Sequence, residues 1–203
     1  ENYFSNLSYV NYVSDPEEWF VLLKAPSAWR ILVPVPQILD DKAIKSNDYL
    51  SDIFRRVLNS SDPIETIHRT IYRVHQRVVN KMRDGRIMLA GDSAHLNNPL
   101  GGFGMNGGLH DAWNLAEKLD GIINHKKDED LLNLYDRQRR TVMNDFIQKQ
   151  TIRNKKMIEE TGDANYSSEW MRMRNLHENE NERRDYMLRQ SMTQSLINEA
   201  AIK

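Results

Sequence analysis

The 203-residue sequence contains no cysteine. Disulfide bonds and thiolate metal sites are therefore excluded. The absence fits a reducing compartment, and we expect a cytoplasmic protein. His95 and His110 follow no spacing that is typical of a metal site, so no metal is expected either.

Long hydrophobic runs are also missing. No apolar stretch approaches the roughly 18 residues that a membrane span requires, and no secretory hydrophobic segment is present. The formal net charge is -1 and the mean hydropathy is -0.70, so no global field favours nucleic acid. The chain opens at Glu1, without an initiator methionine, in what reads as mid-domain sequence. We therefore expect a fragment, or one half of a larger protein.

Short runs of aromatic and β-branched residues predict a strand meander near the start of the chain. The predicted strands are residues 9–14, 19–24 and 29–36, and the last of them ends at prolines, which cannot donate to a ladder. Apolar residues at helical spacing then predict a helix over 48–58, capped by Asn47 or Asp48 and ended by 59–63. Residues 66–79 are interpreted as an extended strand.

A continuous apolar run at 87–90 follows the turn signal Asp84-Gly85 and predicts a strand buried on both faces of a sheet. A helical stripe comes next, with Gly121 as its stop. The stripe consists of Leu109, Ala112, Leu115, Ala116 and Leu119. Further helices are predicted over about 129–160 and 180–200.

Six of the nine glycines lie in one stretch, GDSAHLNNPLGGFGMNGG, at residues 91–108. Glycine lets backbone N–H groups approach a ligand, and a helix N-terminus adds unpaired donors and a partial positive charge. The stretch therefore predicts a site for an anion or an electron-rich carbonyl. A loop that only packs needs one glycine, and six argue against that interpretation.

Several specific interpretations of this loop compete. Residues 102–107 match G-x-G-x-x-G, but the preceding strand ends about ten residues too early for a dinucleotide fingerprint. A phosphate-binding P-loop fails because no Gly-Lys-Ser/Thr follows. A triad of Asp92, Ser93 and His95 is disfavoured because three neighbours on one turn seldom converge and G-x-S-x-G is missing.

The stretch resembles the flavin-binding return segment of the FAD-dependent aromatic hydroxylases, the single-component flavoprotein monooxygenases related to para-hydroxybenzoate hydroxylase. The matching sequences are GRIMLAGDSAH at 85–95, NPLGGFGMNGG at 98–108 and HDAWNLAEKL at 110–119. Weaker resemblance extends upstream through WRILVPVP and YRVHQRV, and downstream through LLNLYDRQRR and RRDYMLRQSMTQSL. The likeness spans nearly the whole chain.

This resemblance implies a mixed α/β (α+β) chain that forms the C-terminal half of a two-domain FAD/NAD(P)-binding hydroxylase fold. Residues 1–78 would be the last part of the substrate-binding sheet domain. Residues 79–125 would be the returning segment of the FAD-binding domain, and 126–203 the closing helices. The implied partner is an N-terminal half that holds the ADP part of FAD, and a homodimer is a further possibility.

The resemblance also implies which residues contact the cofactor. Asp92 would bind a ribityl hydroxyl, and Pro99 would lie beside the isoalloxazine ring and shape its oxygen-reacting face. A helix starting near Asn106 would direct its positive end at the flavin carbonyl edge. The complete implied set is Gly91, Asp92, Pro99, Gly101, Gly102, Gly104, Met105 and Asn106.

The activity implied is hydroxylation of a small, phenol-like aromatic substrate. NAD(P)H would reduce FAD, and dioxygen would then give a flavin C4a-hydroperoxide that transfers oxygen to the ring. No side chain in the segment is an obvious acid or base. The alternatives are another flavoprotein of this architecture, such as a reductase, halogenase or epoxidase, and a non-catalytic half that needs a partner chain.

Other polar residues receive structural interpretations. His95 is expected to be a structural hydrogen-bonding residue, and Asp111 to lie in the first turn of the helix after the loop, where the dipole favours an acid. Trp113 is expected in the core. Arg137, Arg139 and Arg140 are expected to be solvated helix charges. Four residues are placed on strands that could face the substrate: Arg30, His68, His75 and Arg77.

Overall fold

The computed structural model describes residues 6–14, 18–36, 38–59, 64–159 and 168–203. The helix end expected at 59–63 and the helix limit expected at Glu160 lie wholly or partly outside these residues. The described chain divides into two compact units, one reaching to Arg73 and including Ile158 and Glu159, the other comprising Val74–Met157 and Ser168–Lys203. None of the described helices is long and apolar enough to span a membrane.

The first unit contains an antiparallel sheet of three strands in the order β1-β2-β3. These strands are Val10–Val13, Phe20–Lys24 and Trp29–Leu32. The central strand β2 buries three consecutive apolar side chains, Phe20, Val21 and Leu22. The predicted meander is therefore confirmed, although β3 stops at Leu32, ahead of the prolines that cannot extend a ladder.

Two helices follow in the first unit, α1 (Asp41–Ile44) and α2 (Asn47–Leu58). The helix expected over 48–58 is confirmed, but its N-cap is Ser46, whose hydroxyl accepts from the Tyr49 N–H at 3.2 Å. The expected caps, Asn47 and Asp48, lie inside the first turn. A serine hydroxyl reaches the third N–H of a helix readily, which explains why it takes this position.

The strands that the structure describes in the second unit are each two residues long. They form two antiparallel pairs, β4 (Arg77–Val78) with β7 (His95–Leu96) and β5 (Arg83–Asp84) with β6 (Ile87–Met88). The turn at Asp84-Gly85 is confirmed, but the long strand expected over 66–79 is wrong apart from β4. The strand expected at 87–90 is also wrong as a buried one, because Ile87 is 67% exposed in this hairpin.

The β5-β6 hairpin is held by a carboxylate from a helix. Asp136 accepts from the Met82 N–H at 2.7 Å and from the Arg140 guanidinium at 3.0–3.1 Å. Burial works to raise the pKa of Asp136, but these hydrogen bonds and the positive charges outweigh it, so its pKa lies below the usual value. Asp136 therefore stabilises the hairpin as an anion.

Helices dominate the rest of the second unit. They are α3 (Phe103–Ile123), α4 (Leu131–Val142), α5 (Lys149–Glu159), α6 (Ser168–Asn175), α7 (Glu180–Gln190) and α8 (Thr193–Ala200). A π-helical turn, Met143–Gln148, joins α4 to α5, so the long helix expected from 129 is confirmed in outline. The helix expected over 180–200 is broken into α7 and α8 at Met192, which has φ 61°.

One core cluster combines α3, α4, the π turn and the start of α8. It consists of Phe103, Val142, Met143, Phe146, Ile147 and Met192. Helix α3, however, presents its polar side to the interior. Its buried residues are Phe103, Gly107, Asp111, Asn114, Lys118 and Gly121.

The helix predicted from the apolar stripe is confirmed as α3, but the rest of the described chain leaves most of that stripe exposed. Leu109, Ala112 and Ala116 are exposed, and Trp113, expected in the core, is 71% exposed. Gly121 also lies inside the helix instead of ending it, since α3 continues to Ile123. The periodicity distinguishes the apolar face of α3 from its polar face. It does not show that the rest of this chain covers the polar face.

Candidate functional site

A single 3-10 turn, Gly91–Ser93, carries the aspartate of the GDSAH sequence. Gly91 has φ 58°, and the Ser93 hydroxyl closes the turn by donating to the Ala90 carbonyl at 2.8 Å. The Asp92 side chain is exposed and makes no hydrogen bond or ion pair with any residue that the structure describes. Its carboxylate is therefore free to accept hydrogen bonds from a ligand.

The neighbouring histidine points the other way. His95 is buried, and its Nε2 lies 2.6 Å from Oδ2 of Asp111. The Asp92, Ser93 and His95 triad is therefore not assembled, and the interpretation of His95 as a structural residue agrees with this contact. His110, on α3, has a buried Nδ1 without a hydrogen-bond partner in the described chain, and burial lowers its pKa.

The Pro99 turn is fixed from beneath by side-chain amides. The Gln76 Oε1 accepts from both the backbone and side-chain N–H groups of Asn98, at 2.7 and 2.9 Å. The Asn98 Oδ1 in turn accepts from the Leu100 N–H at 3.1 Å. Gln148, in the π turn, accepts from Gln76 at 2.6 Å. Pro99 itself is exposed, so the turn is held rigidly with its proline at the surface.

Helix α3 begins three residues earlier than expected. Its N-cap is Gly102, with φ 70°, and no side chain caps it. Asn106 is therefore not the N-cap, and its Nδ2 instead donates back to the Gly102 carbonyl at 3.2 Å. The first-turn N–H groups of this 21-residue helix are available to a ligand. Asp111 lies in the third turn, so its expected first-turn position is wrong.

The glycines of the loop fall into two groups, according to the atoms that an added Cβ would contact. A Cβ on Gly101 would lie 2.4 Å from the Phe103 ring, and one on Gly108 would lie 3.3 Å from Cα of Gly91. These glycines are required by packing within the chain. A Cβ on Gly102 would meet no atom within 4 Å, and one on Gly104 only Asn97, at 3.7 Å. The number of glycines is thus partly explained without a ligand, and the open ones surround the start of α3.

The expected solvated arginines include one that is fully buried. Arg139, at 0% exposure, donates from Nε to Oδ1 of Asp111 at 2.6 Å and also bonds Glu199. Arg137 and Arg140 lie nearer the surface, so the interpretation is wrong for Arg139 alone. The sequence DRQRR, at residues 136–140, interrupts the apolar stripe of the helix, and this interruption was visible in the sequence. Its spacing did not show which of the arginines is buried.

Asp111 accepts hydrogen bonds from three directions, and sequence reasoning missed this role. Burial, the largest single influence, works to raise its pKa, but the contacts with His95, Arg139 and the Gly91 N–H together hold the pKa below the usual value. Asp111 is therefore an anion. Because a carboxylate only accepts, the His95 Nε2 carries the proton of their shared hydrogen bond.

The four residues expected to face a substrate are all exposed. Arg30 lies exposed on β3 and Arg77 exposed on β4, whereas His68 and His75 lie in irregular, exposed chain and on no strand. The described residues also contain no group of three or more histidine, aspartate or glutamate side chains arranged for a metal.

A sequence profile of the FAD binding domain family matches residues 28–150. The chain therefore belongs to this family, and the resemblance and mixed α/β fold expected from the sequence are confirmed.

Particular relatives are monooxygenases. The chain is 36% identical over 118 residues to 6-hydroxy-3-succinoylpyridine 3-monooxygenase HspB of Pseudomonas putida. The match covers 58% of this chain and 30% of that protein. The chain is 34% identical over 162 residues to para-nitrophenol 4-monooxygenase of Pseudomonas sp. strain WBC-3, covering 77% of this chain and 40% of that protein. The chain thus spans less than half the length of these relatives.

Solved structures show the same relationship. The crystal structure of p-nitrophenol 4-monooxygenase PnpA from Pseudomonas putida DLL-E4 superposes with a TM-score of 0.67 and 32% identity, over 78% of this chain and 42% of that one. The flavin-dependent monooxygenase PieE, at 18% identity and a TM-score of 0.62, covers 96% of this chain and 36% of its own and supports the fold alone.

Proposed function

We propose that this chain is part of an FAD-dependent monooxygenase that hydroxylates a small, phenol-like aromatic compound. The observation that carries the proposal is the pairing of a free carboxylate with an uncapped helix start. Asp92 has no partner among the described residues, and the Gly102 N-cap leaves the N–H groups of α3 open. The names of two relatives, a monooxygenase of a succinoylpyridine and a monooxygenase of para-nitrophenol, supply the reaction class.

The donors and acceptors present fit a flavin. A carboxylate at Asp92 accepts hydrogen bonds from ribityl hydroxyls. The first turn of α3 offers N–H donors and a positive dipole end to the carbonyl edge of the ring, and each such contact contributes about 0.3–1 kcal/mol. Gly102 leaves space for a flat ring system against the backbone. Pro99 would flank the ring, while Gly91, Gly101, Gly104, Met105 and Asn106 would shape the surrounding backbone.

When bound, FAD would supply the redox chemistry, accepting hydride from NAD(P)H and activating dioxygen for transfer of one oxygen atom to the ring. The protein's own contribution is then positioning. The amides of Gln76, Asn98 and Gln148 hold the Pro99 turn, and Asp92 fixes the ribityl chain. No side chain of the loop is assigned as an acid or base.

The rest of the binding site would come from an N-terminal half that holds the ADP part of FAD. Support comes from the exposed apolar face of α3, where Met105, Leu109 and Trp113 are 75%, 60% and 71% exposed. Contiguous apolar surface of this kind marks an interaction site. The division at residues 78 and 125, a cytoplasmic location and a homodimer remain part of this proposal.

The test uses the complete polypeptide in which this chain occurs. We expect flavin bands in its visible spectrum, and we expect NADH or NADPH oxidation that accelerates when phenols or nitrophenols are added. Hydroxylated product should form with little hydrogen peroxide. Flavin without hydroxylated product would indicate a reductase, halogenase or epoxidase instead. A folded, complete protein that binds no flavin would overturn the proposal.

A further inference from the structure

Three charged side chains are buried together where α3, α4 and α8 meet. Asp111 and Arg139 are both 0% exposed, and Glu199 is 9% exposed. The Arg139 Nε donates to Asp111 at 2.6 Å, and its Nη1 bonds the Glu199 carboxylate. We call Asp111, Arg139 and Glu199 the charge cluster. It joins a residue of α8 to a residue of α3 through one guanidinium group.

Stability alone does not account for this arrangement. Removing charges from water is costly, and well-packed apolar side chains of similar volume often stabilise a fold as well or better. What apolar side chains cannot do is bind specific backbone groups. Two of the backbone groups that form hydrogen bonds with the charge cluster belong to the glycine-rich stretch at residues 91–108.

The first of these groups is the N–H of Gly91, which donates to Oδ2 of Asp111 at 2.9 Å. Gly91 opens the turn that carries Asp92. The second is the carbonyl of Gly107, which accepts from Nη2 of Arg139 at 3.2 Å and lies near the start of α3. The charge cluster therefore contacts both sides of the proposed flavin site.

The far end of the charge cluster is equally well anchored. Asn114 donates to the Glu199 carboxylate, and Gln138 donates to the carbonyls of Glu199 and Ile202 at 3.2 and 3.0 Å. Lys118, also buried, donates to Asn114 at 2.6 Å and to Gln138 at 2.8 Å. These contacts fix α8 against α3 and α4, so a change at Glu199 reaches Arg139 directly.

We propose that the charge cluster positions the flavin-binding turn, so that Glu199 on α8 controls the affinity of the site for FAD without touching the cofactor. This inference rests on the proposed function. Arg139 and Glu199 are positioning residues in it, acting through Asp111 on Gly91. Glu199 orients the guanidinium, the guanidinium orients the carboxylate of Asp111, and that carboxylate sets the Gly91 N–H.

The test compares Glu199→Gln with a matched packing variant, Leu132→Ala. Leu132 is buried on α4, outside the charge cluster. FAD affinity of the complete protein is measured by fluorescence titration, and stability by urea unfolding. We expect Glu199→Gln to raise the FAD Kd by about tenfold, within the roughly 5- to 150-fold range usual for coupled sites. Leu132→Ala should lower stability at least as much yet leave the Kd within about twofold.

A second readout needs no flavin. In the amide spectrum of the isotopically labelled complete protein without FAD, the Gly91 resonance should move in Glu199→Gln toward its position in Asp111→Asn. Gly85, whose turn lies outside the charge cluster, should not move. If Glu199→Gln does not fold, Arg139→Lys carries the same test, because lysine keeps the charge but loses the planar fork.

The outcomes separate this inference from the proposed function. Wild-type protein that binds no FAD would overturn both the proposed function and this inference. Wild-type protein that binds FAD normally, with Glu199→Gln and Leu132→Ala equal in Kd, would overturn this inference alone. An unmoved Gly91 resonance in Glu199→Gln would do the same.

Discussion

Replacing Gly101 by alanine gives the most detailed check on the loop. Gly101 has φ 105°, a backbone conformation that side chains disfavour. A Cβ there would lie 2.4 and 2.9 Å from two atoms of the Phe103 ring and 2.6 Å from the Asn154 amide. Phe103 belongs to the buried core cluster, so its ring cannot swing into solvent without cost.

Two contributions to the loss of stability can be separated. The left-handed backbone costs an L-residue roughly 1–2 kcal/mol. Displacing the Phe103 ring is an overpacking change, which costs typically about 1–3 kcal/mol. We therefore expect Gly101→Ala to lower the free energy of unfolding by about 2–5 kcal/mol.

Gly85→Ala is the control for the backbone contribution. Gly85 has φ 58°, lies in the same unit, and a Cβ there would meet no atom within 4 Å. Urea unfolding of the 203-residue chain, followed by circular dichroism, gives both values. The difference between the variants combines the packing of Phe103 against the loop with the greater backbone strain at φ 105° than at φ 58°. Equal destabilisation by Gly101→Ala and Gly85→Ala would refute the described loop conformation.

Four further predictions address the core, the pH dependence, the exposed helix face and the cofactor. Tyr135→Phe removes a 2.7 Å hydrogen bond to the Leu89 carbonyl and should cost about 1–3 kcal/mol in urea unfolding, because that carbonyl loses its partner. Asp136 has a pKa below its unfolded value of about 3.9, so its stabilisation is present above that pH and lost as pH falls through the folded pKa. Between about pH 5 and pH 3, the free energy of unfolding, measured in urea, should thus fall less for Asp136→Asn than for the wild-type protein. In the isolated 203-residue chain, where no N-terminal half covers Met105, Leu109 and Trp113, this apolar face should promote self-association, and Trp113→Gln should reduce it in sedimentation velocity. Gly102→Ala should match Gly85→Ala in stability but weaken FAD binding, since its Cβ would occupy the open space.

The meander, α2 and the long helix that begins with α4 could be predicted because each depends on a local sequence pattern. Alternating or helically spaced apolar residues decide which face is buried, and prolines end β3 whatever lies around them. The N-cap of α2 was misplaced by one residue, which is the usual precision of a cap assigned from composition when Ser46, Asn47 and Asp48 all qualify.

The faces of α3 could not be predicted because they depend on distant residues. Asp111 and Lys118 are buried because Arg139 and Gln138, both on α4, form hydrogen bonds with them. A sequence pattern treats such polar residues as surface. The apolar spacing did not predict the π turn at Met143–Gln148, from which Gln148 donates to the distant Leu96 carbonyl at 2.8 Å.

The site itself was predicted unevenly. Asp92 and Pro99 lie exposed, where a ligand can reach them, and this follows from the order of turn, loop and helix in the sequence. The family resemblance implied a helix start near Asn106, whereas Gly102, with its left-handed backbone, is the N-cap in the structure. The assignment of these residues to FAD stays a prediction.

The central claim is that Asp92 binds the cofactor, and FAD titration of the Asp92→Ala variant tests it most directly. Asp84→Ala is the matched control, since Asp84 is also exposed and lies in the same unit. Hydrogen bonds to a charged group contribute about 1.5–3 kcal/mol, so we predict that the FAD Kd of the complete protein rises about 10- to 150-fold in Asp92→Ala. Asp84→Ala should bind as wild type does. An unchanged Kd in Asp92→Ala, with the protein folded, would contradict the account.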